Sequence, residues 1–76
     1  KIIQMNNLNV AKIQLNGASY EINRGTKLNE LLNKLKLQKN KVAIEVNGEI
    51  IEKNKYPNLI LRKGDKVEIV HFIGGG

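Results

Sequence analysis

The chain has no cysteine, no tryptophan, one proline and one histidine, and aromatic residues make up only 4% of its 76 positions. Without cysteine neither a disulfide framework nor a thiolate metal site can form, and His71 alone cannot build a zinc centre. The missing thiols also bear on sulfur chemistry. Persulfides and mixed disulfides need a cysteine side chain, so any sulfur this chain carries has to be held elsewhere. No apolar run approaches the roughly 20 residues that span a bilayer, and residues 1–10 lack the long apolar core of a signal peptide. These absences are read as a soluble, cytoplasmic protein with no membrane partner, an organellar stroma being the other compartment. A chain of this size supports a single hydrophobic core, so one domain held by apolar burial is expected.

The charge is lopsided, at a formal +6, and clustered cations on a small domain favour nucleic acid through counterion release. The basic residues are nearly all lysine, however, and scattered from Lys12 to Lys66. Only Arg24 and Arg62 offer the planar fork that grips phosphate and base edges. Tyr20 and Tyr56 are expected at the rim of the core, and two separate aromatics make no stacking platform for single strands. No nucleic-acid partner is expected on this reading. A basic RNA- or ligand-binding module is the alternative from another functional class.

Along the chain, Lys12-Ile13-Gln14-Leu15-Asn16 alternates polar and apolar residues with the period of a half-buried strand. Asn16-Gly17 then suits a type I′ turn and returns the chain through Ser19-Tyr20-Glu21-Ile22 as a hairpin. Arg24-Gly25 ends the strand. Thr26 is placed as a helix N-cap that accepts a hydrogen bond from the amide near Asn29, with Glu30 in the first turn. Leu28, Leu31, Leu32 and Leu35 fall on one helical face, while Asn29, Glu30, Asn33, Lys34 and Lys36 face water. Val42, Ile44 and Val46 form another alternating strand that ends at a second Asn-Gly pair, Asn47-Gly48. The stretch 49–56 carries no clear pattern. Pro57 rules out a central strand where it stands, the apolar 59–61 stops at a Lys63-Gly64-Asp65 turn, and a final strand is predicted over 66–73.

A hairpin, one helix and two or three further strands, with a right-handed crossover from the second strand to the third, describe a β-grasp. The predicted fold class is α+β, a ubiquitin-like β-grasp with a mixed four- to five-stranded sheet and one helix packed across it. Residues 1–10 are an N-terminal extension or lead-in to the first strand, 11–73 the β-grasp domain, and 74–76 a flexible Gly-Gly-Gly tail.

The last strand, Val67-Glu68-Ile69-Val70-His71-Phe72-Ile73, runs directly into Gly74-Gly75-Gly76 with no charged residue after them. With Gly64-Asp65 before the strand, Val46-Asn47-Gly48-Glu49 in the middle and Gln14-Leu15-Asn16-Gly17 near the start, this end resembles the sulfur carriers of thiamine biosynthesis. The resemblance spans residues 12–76. It implies a ubiquitin-like protein that is not an enzyme but a co-substrate. An E1-like adenylating enzyme would use ATP and magnesium to adenylate the carboxylate of Gly76. Sulfur from a donor such as a cysteine desulfurase would then displace AMP, and the resulting thiocarboxylate would serve thiazole synthase. No cofactor is expected on the carrier itself, which would be a monomer when free. Sister carriers on the same fold, such as the small subunit of molybdopterin synthase or a ubiquitin-like protein modifier, differ only in the acceptor.

The physical logic of such a tail is independent of the resemblance. A carboxylate resists sulfur nucleophiles until one oxygen becomes a good leaving group, which adenylation achieves. Lacking Cβ atoms, Gly74, Gly75 and Gly76 can thread a channel closed to other residues. The bland reading of three terminal glycines is a frayed end or fusion remnant. On the final strand Val67 and Ile69 suit the buried face, which leaves Glu68, Val70 and Phe72 on the other as candidate docking residues for the activating enzyme. His71 is of the residue type most used for acid–base chemistry, but no motif places a second acid or nucleophile beside it, so no catalytic role is assigned.

Overall fold

Asn16 and Asn47 adopt φ angles of 48° and 54°, and the glycines that follow them each sit at 85°. Two consecutive left-handed residues make the type I′ turn, whose twist matches the strands it joins. In the computed structural model, which describes residues 9–72, the first turn joins β1 (Val10–Leu15) to β2 (Ala18–Asn23). Their antiparallel register runs from Val10 opposite Asn23 to Leu15 opposite Ala18. The second turn joins β3 (Val42–Val46) to β4 (Glu49–Ile50). β5 (Lys66–His71) lies between the two hairpins, parallel to β1 and antiparallel to β3, so the sheet order is β2-β1-β5-β3-β4. This is the mixed β-grasp sheet that the sequence predicts, with the final strand ending at His71; Ile73 lies outside the described residues.

The one α-helix among the described residues, α1 (Leu28–Lys34), buries Leu28, Leu31 and Leu32 against Ile13, Ile22, Ile44 and Val67 in one apolar cluster. Seven residues are too few to hold a helix in water unaided, so this packing is what keeps α1 folded. Its start differs from expectation. Lys27, not Thr26, is the N-cap, and its N–H donates to the Glu30 carboxylate at 2.8 Å. The Thr26 hydroxyl instead donates to the Asn23 carbonyl at 2.6 Å. Gly25, at φ 84°, turns the chain sharply after β2, and closing that turn takes up the hydroxyl. At the other end Lys36 adopts φ 60°, with Lys36 N–H on the Asn33 carbonyl and Leu37 N–H on the Leu32 carbonyl. That is a Schellman ending with lysine where glycine is usual. Asn29, expected to face water, is half-buried.

The segment with no clear sequence pattern closes the core. β4 ends at Ile50, and the ammonium of Lys53, in the 3₁₀ turn Lys53–Lys55, donates to the Val42 carbonyl at 2.9 Å. Tyr56 follows, and here the expectation of a rim position fails. Its side chain is 0% exposed and heads the largest fully buried groups. The Tyr56 carbonyl accepts from Asn29 N–H, the Leu59 carbonyl from Leu28 N–H, and the Thr26 carbonyl from Leu61 N–H. Residues 56–61 thus bind the start of α1 rather than the sheet, consistent with Pro57, and carry the Tyr56 ring inward. Tyr20, by contrast, is half-buried at the edge of the cluster, as expected.

The Tyr56 hydroxyl finds no hydrogen-bond partner among the described residues, and burial raises its pKa above the ordinary phenol value. In the unfolded chain the phenol ionises at its ordinary value of about 10. Its contribution to stability is therefore present below about pH 10 and is lost as pH climbs towards the raised folded-state value, because the folded state retains a proton that the unfolded state releases. Tyr56→Phe is expected to keep or raise stability at neutral pH by up to about 1 kcal/mol, since it removes an unpaired buried hydroxyl. It should also flatten the decline above about pH 10. Urea titrations of both proteins at neutral and alkaline pH measure this, and an unchanged alkaline slope contradicts it.

Candidate functional site

β5 is the strand that leads to the glycines, and it is held from both sides. On the β1 side, Asn16 N–H donates to the Val67 carbonyl at 2.9 Å. The Asn16 side chain then extends the pairing where β1 has turned away: its Oδ1 accepts from Ile69 N–H at 2.7 Å and its Nδ2 donates to the Ile69 carbonyl at 3.3 Å. On the β3 side, Asn47 N–H donates to the Lys66 carbonyl at 2.7 Å and Asn47 Oδ1 accepts from Lys66 N–H at 2.9 Å. Asn47 Nδ2 also donates to Asp65 Oδ1 at 3.0 Å, and Asp65 Oδ2 accepts from Arg62 N–H at 2.8 Å, which fixes the turn that launches β5. The Asn-Gly pairs are legible as turns in the sequence. Their second task, gripping a strand up to 53 residues away, has no local signal.

The two faces of β5 divide as the alternation predicts. Val67 is 0% exposed and Ile69 packs against the core, whereas Glu68 is exposed, Val70 is 60% exposed and Phe72 47%. Phe72 N–H donates to the Lys41 carbonyl at 2.7 Å, the last backbone bond before the tail. The sheet thus holds the chain firmly up to Phe72. Gly74, Gly75 and Gly76, the residues singled out for the chemistry, lie outside the described residues. His71 is exposed opposite Val42, and its ring makes no hydrogen bond or ion pair among the described residues. No cluster of three or more metal-ligating side chains occurs among them either. What the described residues provide around β5 is a firmly paired strand and an exposed apolar patch at Val70 and Phe72.

By class this is a ubiquitin-like β-grasp domain whose central strand ends in a glycine run. A sequence model of the ThiS family matches residues 13–76, and the chain belongs to that family. It is 40% identical over 65 residues to the sulfur carrier protein ThiS of Bacillus subtilis, across 84% of this chain and 98% of that protein. It is also 42% identical over 65 residues to a thiazole synthase of Magnetococcus marinus, across 86% of this chain. The match spans about a fifth of that synthase, 20% of its length. The crystal structure of the thiamine biosynthesis protein ThiS from Geobacter metallireducens superposes with a TM-score of 0.73 at 32% identity, covering 86% of this chain and 99% of that one.

Removing the Asn16 side chain tests the clamp. Asn16→Gly keeps the left-handed turn but deletes both bonds to Ile69, and is expected to cost about 1–2 kcal/mol. Amide hydrogen exchange at Ile69 should accelerate more than exchange at Ile22, on the far strand. Equal protection at Ile69 in variant and parent contradicts the clamp.

Proposed function

We propose that this protein is the sulfur carrier of a thiamine-forming pathway and that its reactive group is the Gly76 carboxylate. The observation that carries the reading is that the family match runs through the glycine tail to residue 76, while the body offers a firmly paired strand leading into it and no catalytic group of its own. A carboxylate oxygen of Gly76 attacks the α-phosphorus of ATP in the activating enzyme, with magnesium neutralising the phosphates, and pyrophosphate leaves. A sulfide-level nucleophile from the donor then attacks the acyl carbon and AMP departs with the bonding electrons, leaving a thiocarboxylate; where the donor presents a persulfide, the acyl disulfide first formed is cleaved by a thiol, which leaves disulfide-bonded to the donor's cysteine. ATP and magnesium belong to the partner. The likeness to part of a thiazole synthase supports that enzyme as the acceptor, and an ATP-supplied compartment, the cytoplasm or an organellar stroma, as the setting. No helix among the described residues is long and apolar enough to cross a membrane.

Val70 and Phe72, with Glu68, are assigned to docking of the activating enzyme, since exposed apolar groups on an otherwise polar sheet face mark partner sites. The reading as an RNA-binding module fits this face poorly: Glu45 and Glu68 stand opposite each other on it and would repel a phosphate backbone.

Incubation with an activating enzyme of this pathway, ATP, magnesium and a sulfur donor should replace one oxygen by sulfur in the intact mass, and an unaltered mass overturns the proposal. Deleting Gly75 and Gly76, or adding one residue after Gly76, should abolish loading with little change in melting temperature. Phe72→Ala should raise the KM for the carrier about tenfold, the scale of a lost apolar anchor. A KM equal to that of the parent removes Phe72 from the docking surface.

A further inference from the structure

Asparagine is thermally labile, most of all before glycine, where no side chain shields the next backbone nitrogen. That pair occurs twice here, at Asn16-Gly17 and Asn47-Gly48. Deamidation begins when the glycine nitrogen, stripped of its proton by base, attacks the carboxamide carbon of the asparagine. A C–N bond forms, the Cγ–Nδ2 bond breaks, and ammonia departs with a proton from solvent. Water then opens the cyclic imide at one of its two carbonyls, which leaves isoaspartate or aspartate. The attack requires the carboxamide to turn towards its own peptide, and in the structure both carboxamides are tied to the segment 65–69 instead. Asn16 Oδ1 accepts from Ile69 N–H at 2.7 Å and its Nδ2 donates to the Ile69 carbonyl at 3.3 Å. Asn47 Oδ1 accepts from Lys66 N–H at 2.9 Å and its Nδ2 donates to the Asp65 carboxylate at 3.0 Å. The reactive arrangement is reached only when β5 lifts from the turn concerned.

We propose that the seated β5 guards both Asn-Gly pairs against deamidation and that they react in a fixed order, Asn16 first and Asn47 second. The two guards differ in strength. β1 meets β5 at two residue pairs, Gln14–Lys66 and Leu15–Val67, whereas β3 meets it at five, from Val42–His71 to Val46–Val67. The Nδ2 bond of Asn16 is long and ends on a neutral carbonyl; that of Asn47 ends on a charged carboxylate, the stronger kind. The β1 side therefore opens at lower cost, and its asparagine spends more time in reach of attack. The first event weakens the second guard. A carboxylate at position 16 has no hydrogen to donate and would face the Ile69 carbonyl oxygen, while isoaspartate lengthens the backbone of a tight turn. Either change loosens the strand that also holds Asn47. A carboxylate at position 47 would then lie against that of Asp65, two like charges in place of a hydrogen bond. The two turns thus form an ageing mark: a chain that has spent long with β5 unseated is altered irreversibly and loses the side-chain bonds that seat the strand. The chemistry requires only the chain itself and water.

The test is incubation of the purified protein at mildly alkaline pH with sampling over days. Peptide mapping gives the rate at each site, since cleavage after basic residues separates 13–24 from 42–53. In the folded parent both asparagines should react about tenfold or more slowly than in the same chain in concentrated guanidinium chloride, the factor set by the cost of local opening, and Asn16 should lead Asn47. Asp65→Ala removes the partner of Asn47 Nδ2 and is expected to speed position 47 about tenfold while position 16 changes little. Asp65→Asn, of the same size but uncharged, should speed position 47 about threefold, and so should Asn16→Asp, the product of the first step. A urea titration of each variant establishes a folded starting state, and where Asp65→Ala does not fold Asp65→Asn carries the comparison. A folded parent that reacts at the denatured rate, or at Asn47 first, overturns the proposal. So does a folded Asp65 variant that speeds both sites equally or neither. None of these outcomes bears on the carrier reading.

Discussion

The structure depends on the seating of β5 between two hairpins that never pair with each other. β1 pairs with it in parallel at Gln14–Lys66 and Leu15–Val67, and β3 pairs with it antiparallel along its whole length. Without β5 the sheet would fall into two separate hairpins, and an isolated hairpin is marginal in water. The seating has to be exact in register. Moving β5 by one residue would turn Val67 and Ile69 outward and bring Glu68 and Val70 onto the helix, exchanging an apolar face for a charged one. The Asn16 and Asn47 side chains hold that register from either side, at points where the flanking strands have already turned away.

The two faces of the sheet then serve different ends. One is sealed by α1 and by Tyr56, and in so small a domain this single layer of apolar contact supplies nearly all the stability. Among the described residues no element covers the other. It carries the exposed Val70, Phe72 and Ile50 together with a like-charged glutamate pair, features that give the isolated domain nothing. Stability is concentrated behind the sheet and the proposed docking residues lie in front of it, so changes in front can be made without touching the core. The carrier function proposed above, with its chemistry inside other proteins, would need this division: a body firmly paired up to Phe72, and a terminus free of side chains.

Most of the elements were legible because their causes are local. The leucine stripe of α1, the alternation of β1, β3 and β5, and the Asn-Gly turns each follow from residues within a few positions of one another. The errors fall where a residue had a choice of distant partners. Thr26 has the right chemistry for a cap, but the tight turn at Gly25 claimed its hydroxyl. Lys36 ends the helix in a conformation that its side chain does not advertise. Tyr56 looked like a rim aromatic, yet the chain from Glu52 to Leu61 folds beneath the helix start and takes the ring with it.

The sequence by itself determined the fold class, the apolar face of each long strand, the glycine ending and the family those features resemble, because periodicity and turn chemistry act over short spans. Only the tertiary structure decided which strand lies at the centre, which asparagines grip it, how the core is closed, and that Ala43–Val70 and Glu45–Glu68 line up on one open face. Those outcomes depend on pairings between residues far apart in the chain, and a pairing of that kind is chosen by the free energy of the whole sheet, not by any one segment.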